Sequence, residues 1–473
     1  MDIARSSSKL FIVNVSSAAI TFLGITFFAR ELGATKIGIY FLFETLLGLL
    51  SILTDFGLRG AVKKRISEGE SRGAFLSSAI GLKLIPLSIV VLSIVVLSGF
   101  VNEYIGSSVA GLLAVAMILR EAAHLTIVVL EGELRVGETA IIKLARRVTW
   151  VLVGAIFVTQ GFGTVGVIYG LLAGLSVMLI WGAYRISIPL GPPSLEYAHS
   201  LFEFGKYNFL SSVGGYFYNW MDVAIIGLLL TQGDVGVYEI AWRVTAVSVL
   251  LSQAIATTIY PQVSEWDSSG EKERIEELLF SVMTPSLLLV IPTFFGTVLF
   301  SREILGFIFG AEYTEAWLVL IILMFDKILQ AVQVIIGRSL QAINKPNKAA
   351  RATIASVVTN VVLNLVLIWM FGIFGAAMAT VTSSIVNDVL HFRYLRRYIS
   401  VRIPVREIVE CIFAAVVMSV ILMLITRLND VDGVTELATV VVLGGVIYSV
   451  LVFLLPTLRP RVLDMFSRFG VVP

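Results

Sequence analysis

Long apolar runs, separated by short polar connections, follow one another along the whole chain. A helix needs about 20 mostly apolar residues to cross the hydrocarbon core of a bilayer. Fourteen runs have about that length, and we predict a membrane-spanning helix for each of them. Their approximate ranges are 9–29, 36–57, 74–100, 108–131, 139–160, 163–187, 206–230, 234–262, 279–300, 317–341, 351–371, 373–395, 407–426 and 437–456. Because the connections are short, any function must reside in the helices and their links.

The composition supports this interpretation and excludes other classes of protein. Apolar types make up 57% of the 473 residues and charged types 14%, whereas a soluble domain carries about 25% charged residues. We therefore predict an all-α polytopic membrane protein. A net charge of +2 gives no basic footprint for nucleic acid. The single cysteine, Cys411, allows neither an intrachain disulfide nor a cysteine-based metal site, and we predict no metal and no cofactor.

Most of the 35 Lys and Arg residues fall in the connections on one side of the predicted membrane. We assign Arg59, Lys143, Arg146 and Arg147 to that side. Connections rich in Lys and Arg remain in the cytoplasm. The sequence therefore predicts a multi-pass protein of the cytoplasmic membrane with both termini in the cytoplasm.

The chain also contains a weak internal repeat. Gly38-Ile-Tyr40 opens the second span, and Gly236-Val-Tyr238 opens the eighth at an offset of 198 residues. Phe162-Gly163 precedes the sixth span, and Phe371-Gly372 precedes the twelfth at an offset of 209 residues. Two matches in the same order and at similar offsets indicate that six spans form one repeating unit.

The repeat predicts two pseudo-symmetric six-helix lobes followed by two further helices. We place the N-lobe at 1–187, a cytoplasmic linker at 188–205 and the C-lobe at 206–395. Residues 396–473 then contain helices thirteen and fourteen and a cytoplasmic tail. An even number of helices in each lobe makes the repeats parallel, as in transporters that hold a substrate near the bilayer midplane.

Ionisable residues occur inside the predicted spans, where a charge is costly unless it faces water or a partner. They are Glu44, Lys83, Arg120, Glu121, Asp222, Glu239, Arg243, Asp326 and Lys327. One interpretation is a wet cavity whose cations bind an anionic ligand such as a phosphate. The other is ion pairing that holds helices together. Glu239 and Arg243, four residues apart on one helix face, illustrate the second interpretation.

Short motifs mark the ends of several spans. In the first half they are Phe28-Ala-Arg30-Glu-Leu-Gly33, Gly38-Ile-Tyr40 and Asp55-Phe-Gly57-Leu. In the second half they are Asp222-Val-Ala-Ile-Ile-Gly227, Gly236-Val-Tyr238, Tyr260-Pro261, Phe309-Gly310-Ala-Glu-Tyr313 and Lys345-Pro-Asn-Lys348. In this order and spacing they resemble the polysaccharide transporters related to the O-antigen flippase. That family belongs to the superfamily of multidrug, oligosaccharidyl-lipid and polysaccharide exporters.

The resemblance implies a function in transport and not in catalysis. Proteins of this family move saccharides linked to polyprenyl phosphate or polyprenyl diphosphate from the cytoplasmic to the outer leaflet. They have twelve to fourteen helices in two lobes and a central cavity with cationic and acidic walls. For this chain we predict transport by alternating access. The resemblance therefore implies two partners, a lipid-linked saccharide and the membrane lipids. Coupling to Na⁺ or H⁺, or to the membrane potential, stays open.

The site residues follow from the resemblance and from position in the spans. We predict a substrate-binding set consisting of Lys83, Arg120, Glu121, Asp222, Arg243 and Lys327. We predict a coupling or gating set consisting of Arg30, Glu44, Glu239 and Asp326. Asp222 and Glu239 are also the expected sites for a coupling ion. Arg30 lies at the outer end of the first span, where it can cap a helix or close a gate.

Three other functions remain open from the sequence. A cation-coupled multidrug exporter of the same superfamily usually has twelve helices, so the last two spans argue against it. A lipid II flippase is a closer alternative. A membrane glycosyltransferase or polymerase, the alternative of another class, would be expected to carry a large outer loop with charged catalytic groups.

Overall fold

The computed structural model describes residues 3–461, and most of the predicted cytoplasmic tail lies outside that range. Side chains are described from Val13 onward, except for Asn14, 207–208 and 210–219. Within residues 3–461 the ordered elements are helices and there is no strand. The all-α class predicted from the apolar runs is therefore confirmed.

The helices of the first half are α1 (Ile3–Asp55), α2 (Leu58–Glu68), α3 (Arg72–Val96), α4 (Ser98–Ile105), α5 (Ala110–Gly132), α6 (Val136–Phe157), α7 (Gly163–Arg185), α8 (Leu195–Leu229) and α9 (Gln232–Thr245). Those of the second half are α10 (Leu250–Ser268), α11 (Lys272–Leu287), α12 (Val290–Ile308), α13 (Trp317–Ala342), α14 (Pro346–Phe371), α15 (Ile373–Leu395), α16 (Val405–Thr426) and α17 (Val434–Leu454).

Eleven segments of the described chain are long and apolar enough to cross a membrane. Two of them, Val15–Asp55 and Val136–Arg185, each cover two predicted spans. Both are interrupted by a glycine with a positive φ, 78° at Gly33 and 89° at Gly161. In helix α8, the seventh predicted span, the apolar stretch among the described side chains is Trp220–Leu229. The chain is thus a multi-pass membrane protein, and these segments are consistent with the prediction of fourteen spans.

Contacts between Cα atoms divide the chain into two compact units, Met1–Gly236 and Val237–Pro473. We call them unit 1 and unit 2. Unit 1 includes the seventh predicted span, which the sequence analysis assigned to the C-lobe. The lobe boundaries at 187 and 206 stay a prediction.

The internal repeat is visible in the backbone of the two units. Gly163 has φ 56° and ψ −136°, and Gly372, 209 residues later, has φ 60° and ψ −141°. Leu134 and Asn344 are both left-handed, with φ 62° and 58°. Left-handed backbone is uncommon in residues other than glycine, so its recurrence before the helices α6 and α14 supports a structural repeat.

Two glycines of the repeat allow a close backbone contact inside unit 1. A Cβ atom on Gly38 would lie 1.8 Å from the carbonyl oxygen of Gln232. A Cβ atom on Gly236 would lie 2.1 Å from the carbonyl oxygen of Ala34. Both pairs, Gly38 with Gly236 and Ala34 with Gln232, are 198 residues apart. The contact is therefore reciprocal, and only glycine fits at its two centres.

Candidate functional site

The predicted site residues fall into both units. Unit 1 contains Arg30, Glu44, Lys83, Arg120, Glu121 and Asp222. Unit 2 contains Glu239, Arg243, Asp326 and Lys327. Each set is described within its own unit.

Lys83 and Glu121 belong to a buried ion cluster in unit 1. The Nζ atom of Lys83 lies 2.6 Å from Oε2 of Glu121 and 3.3 Å from Oδ1 of Asp55. The guanidinium of Arg59 lies 2.9 Å from Oε1 of Glu121 and 3.2 Å from Oδ1 of Asp55. The hydroxyl of Ser51 accepts a hydrogen bond from Arg59 and donates one to Glu121. We call these five residues the ion cluster.

The ion cluster is neutral, since two cations face two carboxylates. Glu121 is 1% exposed and Lys83 is 6% exposed, so neither charge is solvated by bulk water. Mutual pairing and hydrogen bonds offset the large cost of burying such groups. This corresponds to the ion-pairing interpretation. Lys83 can act as a ligand only in a state of the protein in which this cluster opens.

Ser51, Asp55 and Arg59 are not among the site residues predicted from the sequence. Ser51 and Asp55 are four residues apart in α1 and so lie on one helix face, whereas Arg59 belongs to the next helix. The backbone leaves the helical conformation between Asp55 and Arg59, with φ 42° at Phe56 and 76° at Gly57. Helix α1 therefore supplies Ser51 and Asp55, and α2 supplies Arg59.

A second charged group in unit 1 contains three arginines. Arg120 lies near the middle of α5 and Arg146 near the middle of α6, each about 15 Å from its helix start. The charges of Arg120, Arg147 and Glu44 all act on Arg146. Arg147 donates a hydrogen bond of 3.1 Å to the hydroxyl of Thr21. We call Arg120, Arg146 and Arg147 the arginine group.

Two further cations, Arg120 and Arg147, and the carboxylate of Glu44 thus act on Arg146 from within unit 1. A cation within a span is costly unless water, a carboxylate or another anion neutralises it. Guanidinium groups bind phosphate and carboxylate oxygens bidentately. Arg146 and Arg147 are predicted for a cytoplasmic connection, although both lie within the predicted span 139–160. In the structure, both arginines belong to helix α6.

The ion cluster and the arginine group lie within electrostatic range of one another. His124, one turn after Arg120 on α5, is subject to the charges of Arg59 and Lys83 from the ion cluster. The charges of Arg120 and Arg146 act on the same imidazole. Residues of the ion cluster and of the arginine group thus both act on His124 in unit 1.

The remaining predicted residues of unit 1 differ in exposure. Arg30 is exposed, Glu44 is half-buried and Asp222 is 8% exposed. The hydroxyl of Tyr104 on α4 donates a 2.9 Å hydrogen bond to the carbonyl of Ala224, which fixes α8 near Asp222. The roles predicted for these residues stay predictions.

The four predicted residues of unit 2 form two ion pairs. Arg243 lies 2.8 Å from Glu239, as the spacing of four residues predicts. Lys327 lies 3.1 Å from Asp326, which accepts a 2.5 Å hydrogen bond from Ser384. The Nζ atom of Lys327 also lies 5.6 Å from the centre of the Trp242 ring. Each cation of this set is thus held by a carboxylate.

Unit 2 also contains an apolar groove between α12, α16 and α17. Its volume is about 550 Å³. Its walls include Gly296, Phe300, Met418, Leu422, Gly445 and Val452. Such a groove can bury hydrocarbon. Within the described residues, no three His, Cys, Asp or Glu side chains are grouped to hold a metal ion.

Three comparisons relate this chain to known proteins. The family described as polysaccharide biosynthesis protein matches residues 27–318. A protein of Haloferax volcanii, named a probable low-salt glycan biosynthesis flippase (Agl15), is 53% identical over 97% of this chain and 97% of its own length. A second protein of that organism, named a probable flippase (AglR), is 28% identical over 98% of this chain and 99% of its own.

The fold has a counterpart among solved structures. The lipid II flippase MurJ, in its inward closed conformation, covers 94% of this chain and 98% of its own with a TM-score of 0.79. The two sequences are 17% identical. A likeness at this level of identity establishes the fold, whereas function depends on the site.

Proposed function

Because the chain belongs to the polysaccharide biosynthesis protein family, we propose that it is a flippase for lipid-linked saccharides. Family membership also confirms the resemblance to polysaccharide transporters found in the motifs. The proposed substrate is a saccharide on polyprenyl phosphate or polyprenyl diphosphate, moved from the cytoplasmic to the outer leaflet. The product serves assembly of a surface polysaccharide or a protein-linked glycan. The name of the 53% identical relative supports this substrate class.

The arginine group is the observation that carries the proposal. A polar head group must cross about 30 Å of hydrocarbon. Arg120 and Arg146 lie about halfway along their helices. A phosphate bound there would face guanidinium groups of two helices and gain bidentate hydrogen bonds at the depth where the barrier is highest. Glu44, whose charge also acts on Arg146, would weaken the binding enough for release.

The lipid part of the substrate needs a different surface. The apolar groove of unit 2 is lined mainly by hydrocarbon side chains, and each buried methylene contributes about 0.8 kcal/mol. We propose that this groove, taken within unit 2 alone, takes up hydrocarbon of a polyprenyl lipid. The rest of the chain stays in the bilayer.

The cycle we propose is alternating access in the cytoplasmic membrane, with both termini in the cytoplasm. The arginine group is exposed first to the cytoplasm and then to the outside. No covalent bond changes in this cycle, so the protein acts as a transporter and not as an enzyme. Asp222 and Glu239 are the proposed sites for Na⁺ or H⁺ if an ion drives the cycle. The ion cluster positions α1, α2, α3 and α5 around the arginine group.

Removal of charge from the arginine group tests the proposal. The host is a strain that lacks its own flippase and shows the loss as missing surface glycan. We expect Arg120→Gln, Arg146→Gln and Arg147→Gln to lower glycan export at least tenfold at normal expression. Arg338→Gln is the matched control, because Arg338 is exposed near the end of α13 and should leave export unchanged. Normal export in all three variants would overturn the proposal.

Lys83 can be tested in the same strain. The double variant Lys83→Met with Glu121→Gln removes one charge of each sign and keeps the ion cluster neutral. If Lys83 binds substrate, this folded variant loses export. If the ion cluster only positions helices, export persists in the double variant and is lost in Glu121→Gln alone.

A further inference from the structure

The two units share a helix-connecting turn but differ in the charges around it. In unit 1 the turn lies between α5 and α6, at 132–136, and in unit 2 it lies between α13 and α14, at 342–346. In both turns a left-handed residue precedes a basic one, Leu134 before Arg135 and Asn344 before Lys345. The backbone hydrogen bonds also match, since Arg135 donates to Leu130 and Lys345 to Leu340. The charges can therefore be compared directly.

The turn of unit 1 is neutralised by its own carboxylates. Arg135 lies 3.1 Å from Glu133 and 2.7 Å from Glu138, and its hydrogen bonds to Glu138 raise the pKa of the guanidinium. Nearby, Lys63 and Lys143 both pair with Glu131, at 3.1 and 2.9 Å. Each of these cations is already paired with a carboxylate, so its attraction for a further anion is weakened.

The turn of unit 2 keeps its positive charge. Six cations surround it, and we call them the basic surface: Lys345, Lys348, Arg351, Arg393, Arg396 and Arg397. Within residues 3–461, none of the six has a carboxylate oxygen within 4.0 Å. The nearby Glu276 accepts a 2.7 Å hydrogen bond from the backbone N–H of Ser400. Four of the six, Arg351, Arg393, Arg396 and Arg397, are exposed.

Aromatic rings hold several of these cations in place. Lys345 lies 5.1 Å from the centre of the Tyr398 ring. Lys348 and Arg397 lie 5.8 and 5.9 Å from the centre of the Tyr394 ring. A ring attracts a cation without neutralising it. The surface therefore presents ordered positive charge.

The basic surface lies at a membrane boundary. Helix α13 ends at Ala342, α14 begins at Pro346, α15 ends at Leu395 and α16 begins at Val405. All four are apolar enough to cross a membrane, so their ends lie at the level of the lipid head groups. Two apolar side chains beside the surface are strongly exposed, Ile403 at 50% and Val405 at 63%. A lipid offers both an anionic head and an apolar chain, which matches this combination.

From these observations we propose that the basic surface of unit 2 is a binding site for anionic phospholipids of the surrounding leaflet. The lipid phosphate is held by Lys345, Lys348 and Arg397, and the acyl chain lies against the exposed apolar side chains. The site has no counterpart in unit 1, because the equivalent cations are paired. The proposal depends on the membrane spans and not on the flippase function, so either can fail alone.

Native mass spectrometry of the purified full chain tests this site with phosphatidylglycerol and phosphatidylcholine as probes. We expect the wild type to retain phosphatidylglycerol in preference to phosphatidylcholine. Each cation near a membrane surface contributes about fivefold in affinity for anionic lipid. The variant Lys345→Gln/Lys348→Gln/Arg397→Gln should therefore bind phosphatidylglycerol on the order of 100-fold more weakly.

The control removes three cations from the equivalent turn. Lys63→Gln/Arg135→Gln/Lys143→Gln should keep the preference, because those cations are already paired. Thermal unfolding of each variant verifies folding, and the single variant Arg397→Gln, with an expected loss of about fivefold, replaces the triple variant if that one unfolds. Equal retention of both lipids by the wild type overturns the proposal. So does a preference that survives in the triple variant, or one that millimolar inorganic phosphate abolishes.

Discussion

The ion cluster predicts a large and specific loss of stability when Glu121 is neutralised. Glu121→Gln keeps the size of the side chain but removes the carboxylate that contacts Lys83 at 2.6 Å and Arg59 at 2.9 Å. Of the two carboxylates in the ion cluster, Asp55 then remains to face the buried Lys83 and the half-buried Arg59. Breaking a buried pair by removing one partner costs about 3–5 kcal/mol, because an uncompensated charge remains. A typical protein has a free energy of unfolding of only about 5–15 kcal/mol.

Reversible unfolding of the purified protein in mild detergent measures this loss. We expect Glu121→Gln to lower the free energy of unfolding by about 3–5 kcal/mol. Adding Lys83→Met restores neutrality, so the double variant should lose clearly less than the sum of the two single losses. Glu131→Gln is the control, because its partners Lys63 and Lys143 are about half exposed and such pairs contribute at most about 1 kcal/mol. Strict additivity of Glu121→Gln and Lys83→Met would refute the reasoning.

Two further predictions use glycine as the site of change. Gly38→Val places a Cβ atom 1.8 Å from the carbonyl oxygen of Gln232, so the reciprocal contact must separate and both thermal stability and transport should fall. Gly445→Phe fills the apolar groove of unit 2 at a position with open space, so transport should fall at least threefold while the melting temperature stays within about 2 °C. A Cβ atom on Gly111 would also meet open space. Gly111→Val is therefore the control for Gly38→Val, and Gly111→Phe is the control for Gly445→Phe; both controls should match the wild type in transport and stability. Unchanged transport in Gly445→Phe would contradict the assignment of the lipid chain to the groove.

The sequence predicts the membrane helices well because their signal is local. An apolar run of about 20 residues has few stable alternatives in a bilayer, so ranges such as 351–371 and 373–395 agree closely with α14 and α15. The break at Gly372 was also visible in the Phe-Gly repeat. These features depend on neighbouring residues and on nothing elsewhere in the chain.

The partners of buried charges are less visible in the sequence. The pair Glu239 and Arg243 follows from spacing on one helix, whereas Lys83 meets Asp55 and Glu121 from two other helices. Such a contact depends on how α1, α3 and α5 are arranged, which periodicity does not determine.

The arginine group shows a different difficulty. The charges of Arg146 and Arg147 favour a polar connection, yet both residues belong to helix α6. The rule that basic residues remain in the cytoplasm applies to connections. A basic residue in a connection and a basic residue inside a span are the same in composition. The two can be distinguished only by whether the residue falls within the range of an apolar run.

The central claim is that the arginine group carries a phosphate-linked saccharide across the membrane. The most direct measurement uses the purified protein in liposomes that contain a polyprenyl-diphosphate saccharide. A membrane-impermeant enzyme is added that cleaves only the saccharide lipid exposed in the outer leaflet. With the wild type we predict cleavage of nearly all the saccharide lipid. With Arg146→Gln, the half that starts in the inner leaflet should be cleaved at least tenfold more slowly. Protein-free liposomes should stop near one half. Equal rates for the wild type and Arg146→Gln, or for the wild type and protein-free liposomes, would contradict this claim.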